Sequence, residues 1–184
     1  IRTVIHGDDF LSSGARADLR WMKTGLERKL DIKTTVMGPA EGEVREMRIL
    51  NRVVRWAEDG ITYEADPKHA EIIVESMGLA NANSVAAPGS GDGPGGEEEE
   101  GELEEGDKTR YRAIAARCNY LAIDRPDLQY AAKEACRTMS RPRRGDMVKL
   151  KRIGRYLIGR MRVVYTFEWQ AAPSGLTCYT DANW

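Results

Sequence analysis

Between Ala86 and Asp107 the chain carries almost no apolar side chain, only Ala86, Ala87 and Leu103 among glycine, proline, serine and acid. A stretch so poor in hydrophobes cannot offset the entropy of ordering its backbone, so it reads as a flexible acidic linker. It separates an N-terminal part dominated by strand patterns from a C-terminal part dominated by helical ones. The fold class that follows is α+β, and 184 residues with 41% hydrophobic content suffice for one core or two small ones.

On the N-terminal side, Ile1 to Ile5 and Phe10 to Ser12 read as the arms of a β-hairpin. Leu19, Met22, Leu26 and Leu30 recur at helical spacing, which predicts an amphipathic helix over 16–30. Ile32 to Met37 and Met47 to Trp56 are strand candidates, and Glu58-Asp59-Gly60 turns the chain into a further strand, Ile61 to Glu64. Asp66 before Pro67 starts a helix that Gly78 can close. Beyond the linker, Tyr111, Ile114, Cys118 and Leu121 form one helical stripe, and Leu128, Ala131, Ala132, Ala135, Cys136 and Met139 another. Asp124-Arg125-Pro126-Asp127 breaks them apart, because the residue before proline is pushed out of helical geometry. A third helix, roughly 146–159, buries Leu150, Ile153 and Leu157. Met161 to Trp169 and Leu176 to Ala182 then read as two strands joined at Pro173-Ser174-Gly175.

Gly7-Asp8-Asp9 is the segment with the most chemistry in it. Successive strand side chains point to opposite faces, so two adjacent acids reach one ion only where a turn bends the backbone. Gly7 permits that bend. Adjacent carboxylates repel unless a cation compensates, and Mg²⁺ takes oxygen ligands of this kind together with substrate phosphates. An ordinary polar turn uses the same residue types.

The total charge of −1 conceals a polarity. Residues 97–107 hold eight acids and no base, whereas 108–184 hold sixteen bases and six acids. Nine bases fall between Arg141 and Arg162. Those on the third helix, Lys149, Lys151, Arg152 and Arg155, with Arg143 and Arg144 before them, make a cationic face suited to a phosphodiester backbone, the alternative being a merely solvated face. Few aromatics accompany them, which points to backbone tracking and not base readout.

Three widely spaced cysteines outside any CxxC pattern support neither a disulfide framework nor a zinc site. No apolar run approaches the roughly 18 residues that read as a bilayer span, and no signal peptide is visible. The chain opens on Ile1 inside a strand pattern, as an excerpt from a longer polypeptide would.

The order of these pieces resembles the C-terminal half of a copia-type LTR-retrotransposon reverse transcriptase running into its ribonuclease H domain. The matching stretches are Val4 to Leu11, Tyr111-Arg112 through Tyr120-Leu121, Arg125-Pro126-Asp127-Leu128, Leu150 to Leu157 with Gly159, and Tyr179-Thr180-Asp181-Ala182-Asn183-Trp184. The resemblance implies a partial polymerase palm over 1–85 (hairpin, helix, antiparallel strands), the linker over 86–107, a helical thumb or connection region over 108–160, and the first hairpin of a ribonuclease H-like fold over 161–184. It implies a retroelement RNA-directed DNA polymerase in which Asp8 and Asp9, with a third acid from an upstream motif, hold two Mg²⁺ ions, Mn²⁺ being a possible substitute. Asp181 would belong to a separate metal site that cuts RNA in an RNA–DNA hybrid. The implied partners are an RNA template, a DNA primer, a dNTP and the rest of the Pol polyprotein, with no membrane. The implied location is intracellular, in a cytoplasmic element particle or the nucleus. His6-Gly7 stands where the family usually has an aromatic and a small apolar residue, and Asn183 where a second acid is common. The excerpt alone should lack polymerase activity. The alternatives are a decayed derivative that only binds nucleic acid, and a fragment of an RNA-templated RNA polymerase, which would not carry the Asp181 strand motif.

Overall fold

The computed structural model describes residues 1–89, 101–171 and 173–180. They form two compact units, Ile1–Arg45 and Glu46–Trp184. The division therefore falls within the span expected to be a single palm-like piece.

In the first unit, β1 (Arg2–His6) and β2 (Asp9–Ser13) pair antiparallel with His6 opposite Asp9, so Gly7 and Asp8 alone make the turn. Gly7 has φ 62° while Asp8 is not in the positive-φ region, the pattern of a type II′ hairpin with glycine first. Helix α1 (Arg16–Glu27) follows, with Leu19, Met22 and Leu26 half-buried on one side. It stops short of Leu30, which is exposed. The strand expected over 32–37 does not form. Met37 makes only an isolated bridge to Val44, and the bend between them is held by Arg16 on Glu43, whose carboxylate also accepts from Ala40 N. No apolar side chain of this unit is fully buried.

The second unit joins a four-stranded antiparallel sheet to a helical core. Its strands are β3 (Glu46–Ile49), β4 (Arg52–Trp56), β5 (Gly60–Glu64) and β6 (Val164–Glu168), in that spatial order. What reads in the sequence as one strand, Met47 to Trp56, is a hairpin. Leu50 (φ 47°) and Asn51 (φ 67°) form a two-residue type I′ turn. Asparagine tolerates that conformation; leucine rarely adopts it. Register puts Met47, Val54, Tyr63 and Tyr165 on one face of the sheet and Glu46, Arg55, Thr62 and Thr166 on the other.

Among the described residues the helices are α2 (Lys68–Ser76), α3 (Glu105–Ala122), α4 (Gln129–Arg137) and α5 (Arg144–Gly159), with a 3₁₀ turn over Pro126–Leu128. Asp66 accepts from Lys68 N at 3.0 Å and caps α2 as its sequence suggests. The core is the set of expected stripes: Tyr111, Ile114, Cys118 and Leu121 from α3, Leu128, Ala131, Ala132 and Ala135 around α4, and Leu150, Ile153 and Leu157 from α5, packed with Ile73 and Val74 of α2. None of the described helices is long and apolar enough to cross a membrane.

Two expectations need correction here. The linker expected over 86–107 is shorter than that span. Leu103, its one large apolar residue, is buried, Glu102 bridges Arg143, and α3 begins at Glu105. The expected hairpin over 161–182 also differs. Its first strand, β6, pairs with β5 in the register Gly60↔Glu168 to Glu64↔Val164, and residues 173–180 form no strand. A side chain at Gly60 would put its Cβ 2.8 Å from the Phe167 carbonyl carbon and 2.9 Å from Glu168 Cα, so glycine is what lets the two backbones meet.

Candidate metal hairpin and nucleic-acid interface

The turn chemistry of the first hairpin sets Asp8 at the tip and Asp9 at the first position of β2. Both are exposed. The ion pairs among residues 1–45 are Arg16–Glu43 and Lys23–Glu27, so among the described residues no lysine or arginine is paired with either hairpin acid. Two adjacent carboxylates with unshared oxygens fit a hard divalent cation that also takes phosphate oxygens. They fit it in kind but not in number for a complete all-protein site. Among the described residues no group of three His, Cys, Asp or Glu is gathered for a metal. Asp181 lies outside the described residues.

Of the six predicted cations, five lie on one helix of the second unit and the sixth flanks it. Arg143 precedes α5 and Arg144, Lys149, Lys151, Arg152 and Arg155 lie on it. Arg143 N donates to Asp146 at 2.9 Å, which starts the helix. Arg143, Arg144, Lys149 and Lys151 are exposed. Arg152 and Arg155 are half-buried, because each spends one donor on the backbone of the preceding segment: Arg152 Nε on Gly89 O at 2.9 Å and Arg155 Nε on Asn83 O at 2.7 Å. Two members of the expected basic face thus also bind the protein to itself. Arg110 and Arg112 are likewise taken by helix-end carbonyls, on Ser76, and on Met139 and Ser140.

Three carboxylates that sequence reasoning left without a role anchor the sheet, two of them to the helical part and the third to the segment that leads into β6. Asp127 is chelated by the buried Arg125 (2.9 and 2.7 Å) and accepts from Tyr156 of α5 at 2.9 Å and Tyr165 of β6 at 3.4 Å. Burial pushes its pKa up, yet the Arg125 and Tyr156 hydrogen bonds outweigh that and leave it below the usual carboxylate range. Asp124 is held by Arg52 Nε at 2.9 Å to both oxygens and accepts from Tyr63 at 2.5 Å. Burial, then the hydrogen bond to Asp124, pushes the Tyr63 phenol up to about 12. Glu64, 2% exposed, receives Arg162 and Arg55; the Arg162 hydrogen bond leads in holding its pKa down against burial. The Arg-Pro-Asp stretch is therefore a joint between 3₁₀ turn, α5 and β6. Only the close opposite charges of Arg125 and Asp127 could have signalled it in the sequence.

Beside the Leu50-Asn51 turn, a shallow cleft is lined by Asp66, His69, Tyr120 and Asp124. The His69 and Tyr120 rings lie 4.8 Å apart, and Arg117 reaches His69 Nδ1 at 3.2 Å. Cys118 is fully buried and its thiol is pushed up to about 12 by burial, which makes it a packing residue and not a nucleophile.

Comparison with known proteins gives matches to part of the chain. It is 37% identical over 78 residues, 42% of its length, to the retrovirus-related Pol polyprotein from transposon RE1 of Arabidopsis thaliana, and equally to that from transposon RE2. It spans about 5% of the length of each. An uncharacterised mitochondrial protein of Arabidopsis thaliana is 38% identical over 53 residues, 29% of this chain and 22% of that protein. No protein-family model matches, and no solved structure matches. Over that 42% the chain is thus related to the Pol polyproteins of transposons.

Proposed function

We propose that the chain is a piece of a copia-type retroelement Pol polyprotein, contributing acids to the metal site of an RNA-directed DNA polymerase and a basic helix to the grip on its primer–template. The observation that carries this reading is the geometry of Asp8 and Asp9: adjacent, exposed, at a two-residue hairpin tip and, among the described residues, paired with no basic side chain of their unit. Similarity to transposon Pol polyproteins supports it independently.

Asp8 and Asp9 would hold Mg²⁺ through carboxylate oxygens, with Asp8 the stronger ligand candidate. When bound, the metal supplies positive charge to phosphate oxygens of an incoming nucleotide and lowers the pKa of an attacking hydroxyl. The chain's own part is positional. The II′ turn fixes the two acids next to each other, while Arg143, Arg144, Lys149, Lys151, Arg152 and Arg155 offer cations along one helix to a duplex backbone. The ribonuclease H assignment rests on the Tyr179 to Trp184 motif alone.

The test is templated dNTP incorporation by a protein in which the flanking Pol segments are restored. Asp8→Asn is expected to abolish incorporation while leaving primer–template binding intact. Equal incorporation by variant and parent removes Asp8 from the metal site. A parent that binds the duplex and incorporates nothing favours the non-catalytic, nucleic-acid-binding alternative.

A further inference from the structure

We propose that residues 83–89 are a brace that positions Arg152 and Arg155 as a paired phosphate clamp on α5. The inference rests on the reading of α5 as a nucleic-acid interface and adds to it which cations are preorganised and by what.

The two arginines are three residues apart on a helix, so their side chains leave the same side. The brace runs along that side. Asn83 O accepts from Arg155 Nε at 2.7 Å, Val85 N donates back to Arg155 O at 3.4 Å, and Gly89 O accepts from Arg152 Nε at 2.9 Å. Val85 anchors the segment by packing against the helical core. Both guanidinium groups are thus held through the same atom. Among the described residues, neither uses an Nη nitrogen in a hydrogen bond. The guanidinium fork carries five N–H donors in a plane, so an arginine held by Nε keeps its Nη edge for two oxygens of a phosphate. A lysine can bond a carbonyl and a phosphate oxygen through separate N–H groups of its one nitrogen, but it has no planar edge and cannot present a fixed two-donor fork to the phosphate.

The brace matters because a free arginine on a helix surface must be immobilised when it binds. Removing that cost beforehand strengthens binding by roughly two- to tenfold per side chain. Lys149 and Lys151, which no brace touches, would contribute charge without fixed direction. The clamp therefore distinguishes α5 from a uniformly solvated cationic helix.

The experiment titrates the whole 184-residue chain against a fluorescent RNA–DNA hybrid by anisotropy at several salt concentrations. Val85→Pro removes the N–H that ties the brace to Arg155 and changes no charge; Val85→Ile keeps it. Arg152→Lys with Arg155→Lys keeps both charges and loses both forks. The expected result is that Val85→Pro and the double lysine variant bind about three- to tenfold more weakly with an unchanged slope of affinity against salt, while Val85→Ile binds like the parent. Parent-like affinity in Val85→Pro makes the brace merely structural and overturns the proposal. Tighter binding makes it an occluding segment, which also overturns it. Should Val85→Pro lose its helical circular dichroism, the double lysine variant decides alone: parent-like affinity there means only charge counts and sinks the clamp. A parent showing no salt-dependent binding rejects the interface itself, and with it the clamp, an outcome distinct from either.

Discussion

Asp127→Ala is the substitution whose cost the structure defines most sharply. Arg125 is 1% exposed and directs its Nε and Nη2 at the two Asp127 oxygens, 2.9 and 2.7 Å away. Removing the carboxylate leaves a guanidinium buried with no counter-charge, which costs about 3–5 kcal/mol. Tyr156 loses an acceptor at 2.9 Å, adding about 1 kcal/mol. The Tyr165 contact at 3.4 Å is long enough to add little. The expected loss is then roughly 4–6 kcal/mol, a large part of the 5–15 kcal/mol typical of a domain. Arg125→Met leaves Asp127 with Tyr156 and some solvent, since its side chain is 24% exposed, and should cost about half as much. The informative protein is the double variant Arg125→Met with Asp127→Ala. With no orphaned charge left, it should be more stable than Asp127→Ala alone by about 2 kcal/mol or more. Urea unfolding of the four proteins at neutral pH, followed by circular dichroism with a common m value, measures the cycle. If the two single losses simply add in the double variant, the buried charges are not coupled and the joint as described is incorrect.

Replacing Leu50-Asn51 by Asn-Gly, the preferred type I′ pair, should stabilise the β3–β4 hairpin by about 1 kcal/mol, because leucine at φ 47° is held against its preference. A lower urea midpoint would show instead that the Leu50 side chain supports the adjacent cleft. Gly60→Ala should release β6, since the obstructing atoms are Phe167 and Glu168 backbone and cannot rotate away. Faster hydrogen exchange at the 164–168 amides is the expected signal, and unchanged protection contradicts it. Glu64 and Asp127 both have folded pKa values below their unfolded ones. Their contribution is therefore complete above about pH 5 and declines as pH falls through about 4 and lower. The urea midpoint should drop over that range and drop less in Glu64→Gln; a midpoint that rises on acidification runs against the assigned pairs.

Periodicity made the helices legible. The α3 stripe Tyr111, Ile114, Cys118, Leu121 and the α5 stripe Leu150, Ile153, Leu157 are buried as spaced. The first hairpin was equally readable, since glycine first in a two-residue turn between apolar runs leaves few alternatives. The β3–β4 turn was hidden because Leu50 is not a turn-forming residue, so the run from Met47 to Trp56 scans as one unbroken strand. The β5–β6 pairing was hidden for another reason. Its partners lie about a hundred residues apart, and no local pattern reports a long-range register. At the basic helix, composition revealed the charge of Arg152 and Arg155 but not their bonds to Asn83 and Gly89, which depend on where an unpatterned segment settles.

Because β6 closes onto β5 only after every helix of the second unit has been made, the ribosome must synthesise through Glu168 before that sheet has its fourth member. Until then β5 presents an unsatisfied ladder to whatever strand comes first. Messages truncated ahead of Val164 should therefore yield polypeptides whose helices form readily but which clump through their sheets, and boundaries for recombinant expression belong beyond Trp169, not at the end of α5.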